Sequence, residues 1–270
     1  MITLTPKSPF RVPINGESIT PDSFAGKTPK EIASLPMWEG NRRRGLSDLF
    51  ETEGEPEEEV RIRVVGDLSK VRRVGASMTG GEILVEGNVG MHLGEEMSGG
   101  KITVAGNAGS WTGSMMKDGT IIVKGNVDDY LGAPYRGLTA GMKGGTIIVE
   151  GDAGSETGCY MAGGTIRIRG DVGLLAGIHM QGGVLLVEGD VGERVGAEMK
   201  GGRIVVLGGV PSVLPGFIVD EIRSSVRVGE ERMSGPFYAF KGDVTESWNG
   251  SLFVAVKNNP HLKGYEAKIA

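Results

Sequence analysis

The chain has 270 residues, 47 of them glycine, a formal net charge of −5 and a pI of about 5.4. Glycine at this level without a three-residue period excludes collagen, and a hydrophobic content of 39% argues against disorder. The acidic balance disfavours a nucleic-acid binder, and a single cysteine excludes both a disulfide framework and an iron–sulfur cluster held by this chain alone. The sequence shows neither a signal peptide nor a membrane-spanning segment, so we expect a cytoplasmic protein that binds no membrane.

Residues 1–60 contain no repeat and predict an N-terminal extension. Within it, Thr28 followed by Pro29 indicates the start of a short helix, because threonine caps helices and proline suits their first position. The basic run Arg42–Arg44 is interpreted as a solvated turn, with binding of an anionic tail as the alternative. The acidic stretch Glu51–Glu59 predicts an exposed connector.

Residues 61–210 are built from one repeated unit. A glycine followed by asparagine or aspartate recurs at steps of 21, 19, 19, 26, 19 and 19 residues, starting at Gly66, Gly87, Gly106, Gly125, Gly151, Gly170 and Gly189. A methionine keeps the same phase, at Met78, Met97, Met116, Met142, Met161, Met180 and Met199. Periods of this length are typical of folds in which one supersecondary unit stacks on the next.

Each unit contains a strand-like run, such as Ile83-Leu84-Val85, in which β-branched residues alternate with outward positions. The predicted fold is therefore all-β: a right-handed parallel β-helix solenoid of about seven rungs, with non-repeat N- and C-terminal extensions. A 19-residue unit is not a multiple of six, which disfavours a left-handed hexapeptide helix. Residues 211–270 predict a C-terminal cap that includes a strand near Ser251–Val256.

Equivalent apolar positions should stack into interior columns. One column is expected to contain Ile83, Ile102, Ile121, Ile147, Ile166, Leu185 and Ile204. The next is expected to contain Val85, Val104, Val123, Val149, Ile168, Val187 and Val206. The methionines are expected to fill the remaining interior space, for which their flexible side chains are well suited.

Three histidines and the cysteine are the first candidates for chemistry. His92 and His179 lie four repeats apart, roughly 19 Å at about 4.8 Å per strand, so we expect them not to share a metal. His261 lies in the C-terminal extension. Cys159 would need an adjoining base to act as a nucleophile, and His179 stands in a different column. We predict no catalytic and no metal-binding residues, with a Cys159–His179 dyad as the alternative.

The glycine-asparagine/aspartate column ends in three aspartates, and clustered carboxylates serve glycoside-cleaving enzymes. The same column carries asparagine in the earlier repeats, which is typical of a turn whose side chains bond nearby backbone N–H groups. We predict a structural turn column, with a carboxylate pair or a calcium site as the alternative. The aspartates are Asp152, Asp171 and Asp190.

Two irregularities predict contact with a partner. The 26-residue step inserts a loop that contains Tyr135 and Arg136, residue types that favour interfaces. The outward position between the two interior columns is largely apolar, which suggests burial against another chain. We therefore expect an obligate subunit whose interface includes Leu84, Ile122, Ile148, Leu186 and Val205.

The repeat reads Gly-Asn-Val-Gly, three residues, a further glycine, two residues, Met-x-Gly-Gly and then a strand. With Leu4–Pro6, Pro21–Lys27, Tyr135–Gly137 and Pro215–Phe217, it resembles the C subunit of formylmethanofuran dehydrogenase over nearly the whole chain. The repeat alone also resembles the C-terminal β-helix of the large glutamate synthase subunit, which leaves a glutamate synthase-like domain as a further alternative.

The resemblance implies a non-catalytic scaffold in a one-carbon enzyme complex. In one setting, a formyltransferase/hydrolase complex converts formyl-tetrahydromethanopterin through formylmethanofuran to formate. In the other, a tungsten or molybdenum dehydrogenase makes formylmethanofuran. Arginine usage above that of lysine favours the hydrolase setting.

The resemblance also implies where the cofactors and partners lie. A methanofuran-type carrier is expected in the complex, with metal on another subunit, while no cofactor is held by this chain alone. The expected partners are the A, B and D subunits of the same complex, of which A is amidohydrolase-like and D is formyltransferase-like. The resemblance assigns no residue of this chain to binding of the carrier. A carbohydrate-cleaving enzyme remains the third alternative.

Overall fold

A computed structural model describes residues 1–269, which form mainly β-strands with a few short helices. None of the helices in this range has the length and apolar character needed to span a bilayer. The N-terminal region contains β1 (Ile2–Pro6), β2 (Ile14–Asn15), α1 (Pro21–Phe24), α2 (Pro29–Ala33), β3 (Pro36–Glu39), β4 (Arg42–Gly45), α3 (Leu46–Leu49) and β5 (Phe50–Glu53).

Two expectations about this region have clear outcomes. The predicted helix start is confirmed, because the Thr28 hydroxyl accepts a hydrogen bond from the Glu31 N–H at the start of α2, and the Glu31 carboxylate accepts one from the Thr28 N–H. The expected connector at Glu51–Glu59 is wrong in its first part. Its opening residues belong to β5, which pairs antiparallel with β1 and buries Phe50.

The repeats supply one strand each to a sheet in which neighbouring strands are parallel and in register. Ile83 lies beside Ile102, Ile102 beside Ile121, and the pattern continues through Ile204. The strands of this sheet are β6 (Arg61–Val65), β8 (Glu82–Glu86), β9 (Ser98–Val104), β10 (Asp118–Val123), β11 (Thr146–Val149), β12 (Thr165–Ile168), β13 (Val184–Val187) and β14 (Arg203–Val206). The short β7 (Val71–Arg72) lies between β6 and β8 in the chain but outside this sheet.

A second line of backbone contacts runs beside this sheet. Single residues from successive repeats form parallel bridges, in the order Leu68, Val89, Ala108, Val127, Ala153, Val172 and Val191. Strand β7 belongs instead to a four-stranded sheet of order β4-β3-β2-β7. This small sheet joins the N-terminal extension to the first repeat.

The interior columns are arranged as the sequence predicts. Every member of the isoleucine/leucine, valine/isoleucine and methionine columns is at most 1% exposed, and all of them belong to one core cluster. Burying an aliphatic side chain of this size is worth about 1.5–3 kcal/mol. Repetition of this burial along the stack supplies the main stabilising contribution.

The glycine upstream of most of the methionines is required by this packing. Gly94 has φ of +62°, and a Cβ there would lie 2.6 Å from Cδ1 of Ile121. A larger residue would therefore meet both backbone strain and overlap with the isoleucine column. Gly75, Gly113 and Gly177 show the same combination.

The asparagine/aspartate column has a structural role, but its bonds cross between repeats. The Asn88 Oδ1 accepts a hydrogen bond from the Asn107 N–H at 2.9 Å, and the Asp171 Oδ1 accepts one from the Asp190 N–H at 2.7 Å. The same bond recurs at Asn107, Asn126, Asp152 and Asp190. Each side chain thus ties its turn to the turn of the following repeat.

The C-terminal region contains β15 (Ile218–Val228), β16 (Glu231–Gly242) and β17 (Gly250–Ala255), followed by 3₁₀ helices at Val256–Asn258 and Pro260–Lys268. The predicted strand near Ser251 is confirmed as β17, which pairs parallel with β14. Strands β15 and β16 form a long antiparallel hairpin, and β16 also pairs with β17.

The prediction of a partner surface is wrong at two residues, because this hairpin covers them. Leu186 and Val205 are fully buried in a second apolar cluster with Val226, Phe237 and Phe253 of the C-terminal region. They are covered by their own chain and are not available to another one. Leu84 is 36% exposed, and Ile122 and Ile148 are half-buried, so the open part of the stripe is confined to earlier repeats.

The turn column can be tested with a matched pair of substitutions. Asp171→Ala removes the acceptor of the Asp190 N–H and should lower the free energy of unfolding by about 1–2 kcal/mol. Asp171→Asn keeps an acceptor oxygen, as in the earlier repeats, and should stay within about 0.5 kcal/mol of wild type. Urea denaturation measures both variants. Equal stability of the two variants would contradict the cross-repeat bond.

Candidate functional site

On the side near the small sheet, one residue of each repeat has a left-handed backbone conformation, and these residues form a column across the repeats. His92, Trp111 and Tyr130 have φ values of +63°, +59° and +67°. The N–H of each donates to a carbonyl of the following repeat, as from His92 to Ser110 at 2.9 Å. The backbone therefore holds equivalent side chains about one strand spacing apart. Arg73, Leu175 and Arg194 share this conformation, so it belongs to the repeat rather than to the site.

The three rings of this column stack on one another. The ring centroids of His92 and Trp111 are 5.3 Å apart, and those of Trp111 and Tyr130 are 4.5 Å apart, with interplanar angles of 8° and 12°. Offset stacking of this kind adds about 0.5–1.5 kcal/mol per pair beyond burial. The result is a continuous column of stacked rings spanning three repeats.

The inserted loop folds back onto these stacked rings. Tyr135 stacks on His92 with centroids 5.0 Å apart, and the Arg136 Cζ lies 5.9 Å from the ring centroids of both Trp111 and Tyr130. The two loop residues singled out from the sequence are thus placed against the column. We call His92, Trp111, Tyr130 and Tyr135 the aromatic stack.

A carboxyl group is buried beside the stack. Glu95 is 3% exposed, at a position where the other repeats carry small or apolar residues or a serine: Ala76, Ser114, Ala133, Cys159, Ile178 and Ala197. Its Oε2 lies 3.5 Å from the Arg73 Nη1 and 3.7 Å from the His92 Nδ1. The Arg73 Nε in turn lies 3.5 Å from the Glu17 Oε2. Departure from a local pattern of this kind often marks a functional position.

Buried polar atoms without a hydrogen-bond partner concentrate in the same region. Seven buried side-chain nitrogen or oxygen atoms in residues 1–269 have no hydrogen-bond partner in the chain itself, and five of them lie here. Such atoms cost roughly 1–3 kcal/mol each when nothing satisfies them. The five are the Arg73 Nε, His92 Nδ1, Glu95 Oε2, Trp111 Nε1 and Ser114 Oγ.

The environment shifts two pKa values in opposite directions. Burial, together with the charges of Arg73 and Arg72, lowers the pKa of His92 to about 4, so the imidazole is neutral at pH 7. Burial raises the pKa of Glu95 above its usual value, and Arg73 offsets part of that rise. A neutral His92 imidazole suits stacking between aromatic rings, and its nitrogens can hydrogen-bond to a bound molecule.

A pocket of about 300 Å³ opens above this cluster. Its walls are the small sheet and the inserted loop, and it is lined by Pro13, Ile14, Asn15, Trp38, Gly40, Arg72, Arg73, His92 and Tyr135. We call it the His92 pocket. Two of the larger pockets, of about 540 and 550 Å³, lie elsewhere along the N-terminal extension. Neither is lined by a residue that carries an unpaired buried polar atom.

Cys159 and His179, the alternative dyad of the sequence analysis, each have other neighbours. Burial, with Glu156 nearby, raises the pKa of the Cys159 thiol to about 12, so it stays protonated at pH 7. His179 stacks on Tyr160, with centroids 4.4 Å apart, and its Nδ1 lies 3.4 Å from the Glu198 Oε2. Neither contact involves the thiol. Across residues 1–269, no group of three His, Cys, Asp or Glu side chains is arranged to hold a metal ion.

The core of this site was not predicted from the sequence. Its members could have been found, because His92, Trp111 and Tyr130 each lie two positions before the upstream glycine, at Gly94, Gly113 and Gly132. The carboxyl group of Glu95 also stands out in a column of small, apolar or hydroxyl side chains. Trp38 and Arg72 carry no such periodic signal, since the small sheet brings them there.

No model of a known protein family matches the chain. Part of the chain is similar to the C subunit of tungsten-containing formylmethanofuran dehydrogenase 2 from Methanothermobacter thermautotrophicus, with 44% identity over 96 residues, 34% of this chain and 36% of the relative. The C subunit of molybdenum-containing formylmethanofuran dehydrogenase 1 from the same organism is 43% identical over 91 residues, 34% of this chain and 23% of the relative. The chain thus matches between about a quarter and a third of the length of these relatives.

The structure is also similar to a chain in the X-ray structure of the formyltransferase/hydrolase complex (FhcABCD) from Methylorubrum extorquens in complex with methylofuran. The TM-score is 0.83 at 27% identity, and the match covers 94% of this chain and 99% of that chain. The sequence comparison confirms the resemblance to the C subunit of formylmethanofuran dehydrogenase over about a third of the chain. The structural comparison confirms a resemblance to a chain of the formyltransferase/hydrolase complex over nearly all of it.

The shifted pKa of His92 predicts a pH effect on stability. As the pH falls below 6.5, the unfolded state takes up the histidine proton first, so stability is lost progressively down to about pH 4, by at most about 1.4 kcal/mol per pH unit. Protonation of Glu95, whose pKa is raised, acts with the opposite sign and offsets part of this loss. His92→Gln should therefore lose less stability than wild type between pH 7.5 and pH 5 in urea titrations.

The exposed His261 supplies the control for this experiment. His261→Gln should keep the pH dependence of the wild type. If His92→Gln kept it as well, the buried imidazole would not be the group responsible.

Proposed function

We propose that this chain is a non-catalytic scaffold subunit of a one-carbon enzyme complex that handles formyl groups on a methanofuran-type carrier. The observation that carries the proposal is the structural match over 94% of this chain to a chain of the formyltransferase/hydrolase complex. That complex was crystallised with methylofuran. The carrier, and any metal, would then be held mainly by other subunits.

The architecture proposed for this scaffold is a right-handed parallel β-helix. The in-register parallel strands and the second line of bridges support a coil in which each repeat makes one turn. Right-handedness follows from the strong preference of strand–crossover–parallel strand units for that hand. We divide the chain into an extension at 1–60, a helix at 61–210 and a cap at 211–270. The parallel sheet continues into both end regions through β1 and β17.

A scaffold role agrees with how the reactive groups are used. One oxygen of each of the aspartates Asp152, Asp171 and Asp190 accepts a backbone N–H of the next repeat. The Cys159 thiol is held protonated by burial. These groups are committed to packing and to hydrogen bonding within the stack, which favours a structural role over that of a carbohydrate-cleaving enzyme.

We assign partner contacts to two open surfaces. One is the inserted loop with Tyr135 and Arg136, and the other is the outer stripe at Leu84, Ile122 and Ile148. The exposed part of that stripe ends where the C-terminal hairpin begins to cover it. The expected partners are the amidohydrolase-like A, the B and the formyltransferase-like D subunits of the same complex.

The dehydrogenase setting is the second candidate. Its support is the identity of 43–44% to the C subunits of two formylmethanofuran dehydrogenases over about a third of this chain. The hydrolase setting is preferred because its structural match extends over nearly the whole chain.

Purification of the native complex tests the proposal. The chain would be tagged in its own host, and the co-eluting chains identified by mass spectrometry. We expect formyltransferase-like and amidohydrolase-like subunits, together with release of formate from formylmethanofuran without reduction of a viologen dye. Dye reduction would instead select the dehydrogenase. Elution of the chain alone, or with amidotransferase and flavin-binding partners, would contradict both settings.

A further inference from the structure

The His92 pocket opens onto a basic and aromatic surface. Its rim carries Trp38 and Tyr135, which are 47% and 40% exposed. A second pocket, of about 400 Å³, shares Gly40 with it and is lined by Arg11, Val12, Glu39, Gly40, Asn41, Arg42 and Arg44. We call the two pockets and the β3–β4 hairpin between them the N-terminal surface.

Unpaired positive charge accumulates on this surface. Arg11, Arg42, Arg43 and Arg72 are exposed and take part in no ion pair within residues 1–269. The nearby carboxylates are already engaged: Glu39 pairs with Arg44 at 3.0 Å, and Glu17 lies 3.5 Å from Arg73. On a chain of net charge −5, this is a local reversal of sign.

The composition of the surface indicates a protein partner. Tryptophan, tyrosine and arginine dominate the binding energy of protein interfaces, and they cluster around well-formed pockets. A volume of about 300 Å³ stands at the lower limit for small-molecule sites, which favours a protruding side chain over a whole cofactor. The residues of the aromatic stack beneath are tied to the following repeat by backbone hydrogen bonds.

The charges select the kind of partner. A second copy of this chain in a two-fold dimer would place the same arginines opposite one another, which is repulsive. A segment rich in aspartate and glutamate would instead complement them.

We infer that the N-terminal surface docks an acidic, extended segment of a partner protein, with one of its side chains in the His92 pocket between Trp38 and Tyr135. The inference rests on the proposed function, because it supposes that the chain works inside a complex. It adds the place of docking and the chemistry of the docking segment.

The test uses the full chain, tagged and co-expressed with the other subunits encoded in its host. Arg42→Glu combined with Arg43→Glu should reduce the amount of co-purified partner about tenfold or more, and Trp38→Ala should do the same. All three side chains are exposed, so the fold should persist, and circular dichroism checks it. Recovery of the wild-type complex should also fall as the salt concentration rises.

Matched controls exist at the far end of the chain. Arg194 is an exposed arginine of the same left-handed column, and Trp248 is 54% exposed. Arg194→Glu and Trp248→Ala should leave partner recovery at the wild-type level. A photo-crosslinking amino acid at position 38 should link to a partner peptide rich in aspartate and glutamate.

The outcomes separate the two proposals. If the wild-type chain brings down its partners and the variants at positions 38, 42 and 43 do so equally well, the docking inference is overturned while the scaffold function stands. Crosslinks to a basic segment, to a second copy of this chain or to nothing would overturn it too. If the wild-type chain recovers no partner, the scaffold function fails and the docking inference fails with it.

Discussion

The in-register pairing of each repeat with the next is the constraint on which the rest of the structure depends. Three sets of backbone contacts impose it: the parallel strand ladder, the line of single bridges and the N–H groups of the left-handed column. Because equivalent positions are stacked at one strand spacing, each position of the repeat becomes a column of side chains. The chemical character of a column then decides whether it forms core, turn or surface.

The candidate site follows from this constraint. Aromatic residues at one column position in three successive repeats must stack, because the backbone leaves their rings face to face. The longer repeat then supplies a loop that returns Tyr135 to the His92 end of the stack. Glu95 introduces a buried carboxyl into a column that is otherwise small or apolar, apart from Ser114. The candidate site thus lies where the repeat departs from its own pattern.

The sequence was sufficient for features that depend on spacing alone. The strand columns, the methionine column and the structural nature of the asparagine/aspartate turns all follow from positions that recur in phase. The burial of Leu186 and Val205 could not be predicted from spacing, because it depends on how the C-terminal hairpin folds back along the sheet. The strand at Phe50–Glu53 was hidden for a similar reason, because its partner β1 lies far away in the chain. The position of Trp38 beside His92 also depends on pairing of the small sheet.

Hydrogen exchange of the chain, alone and in its assembled complex, tests most directly whether a partner binds the N-terminal surface. Docking on the N-terminal surface predicts that assembly slows exchange in residues 36–45 and 134–140, while the turns around Asp171 exchange at an unchanged rate. Exchange that is unchanged in residues 36–45 and 134–140, with protection around Asp171 instead, would contradict the assignment of this surface as the place where a partner binds.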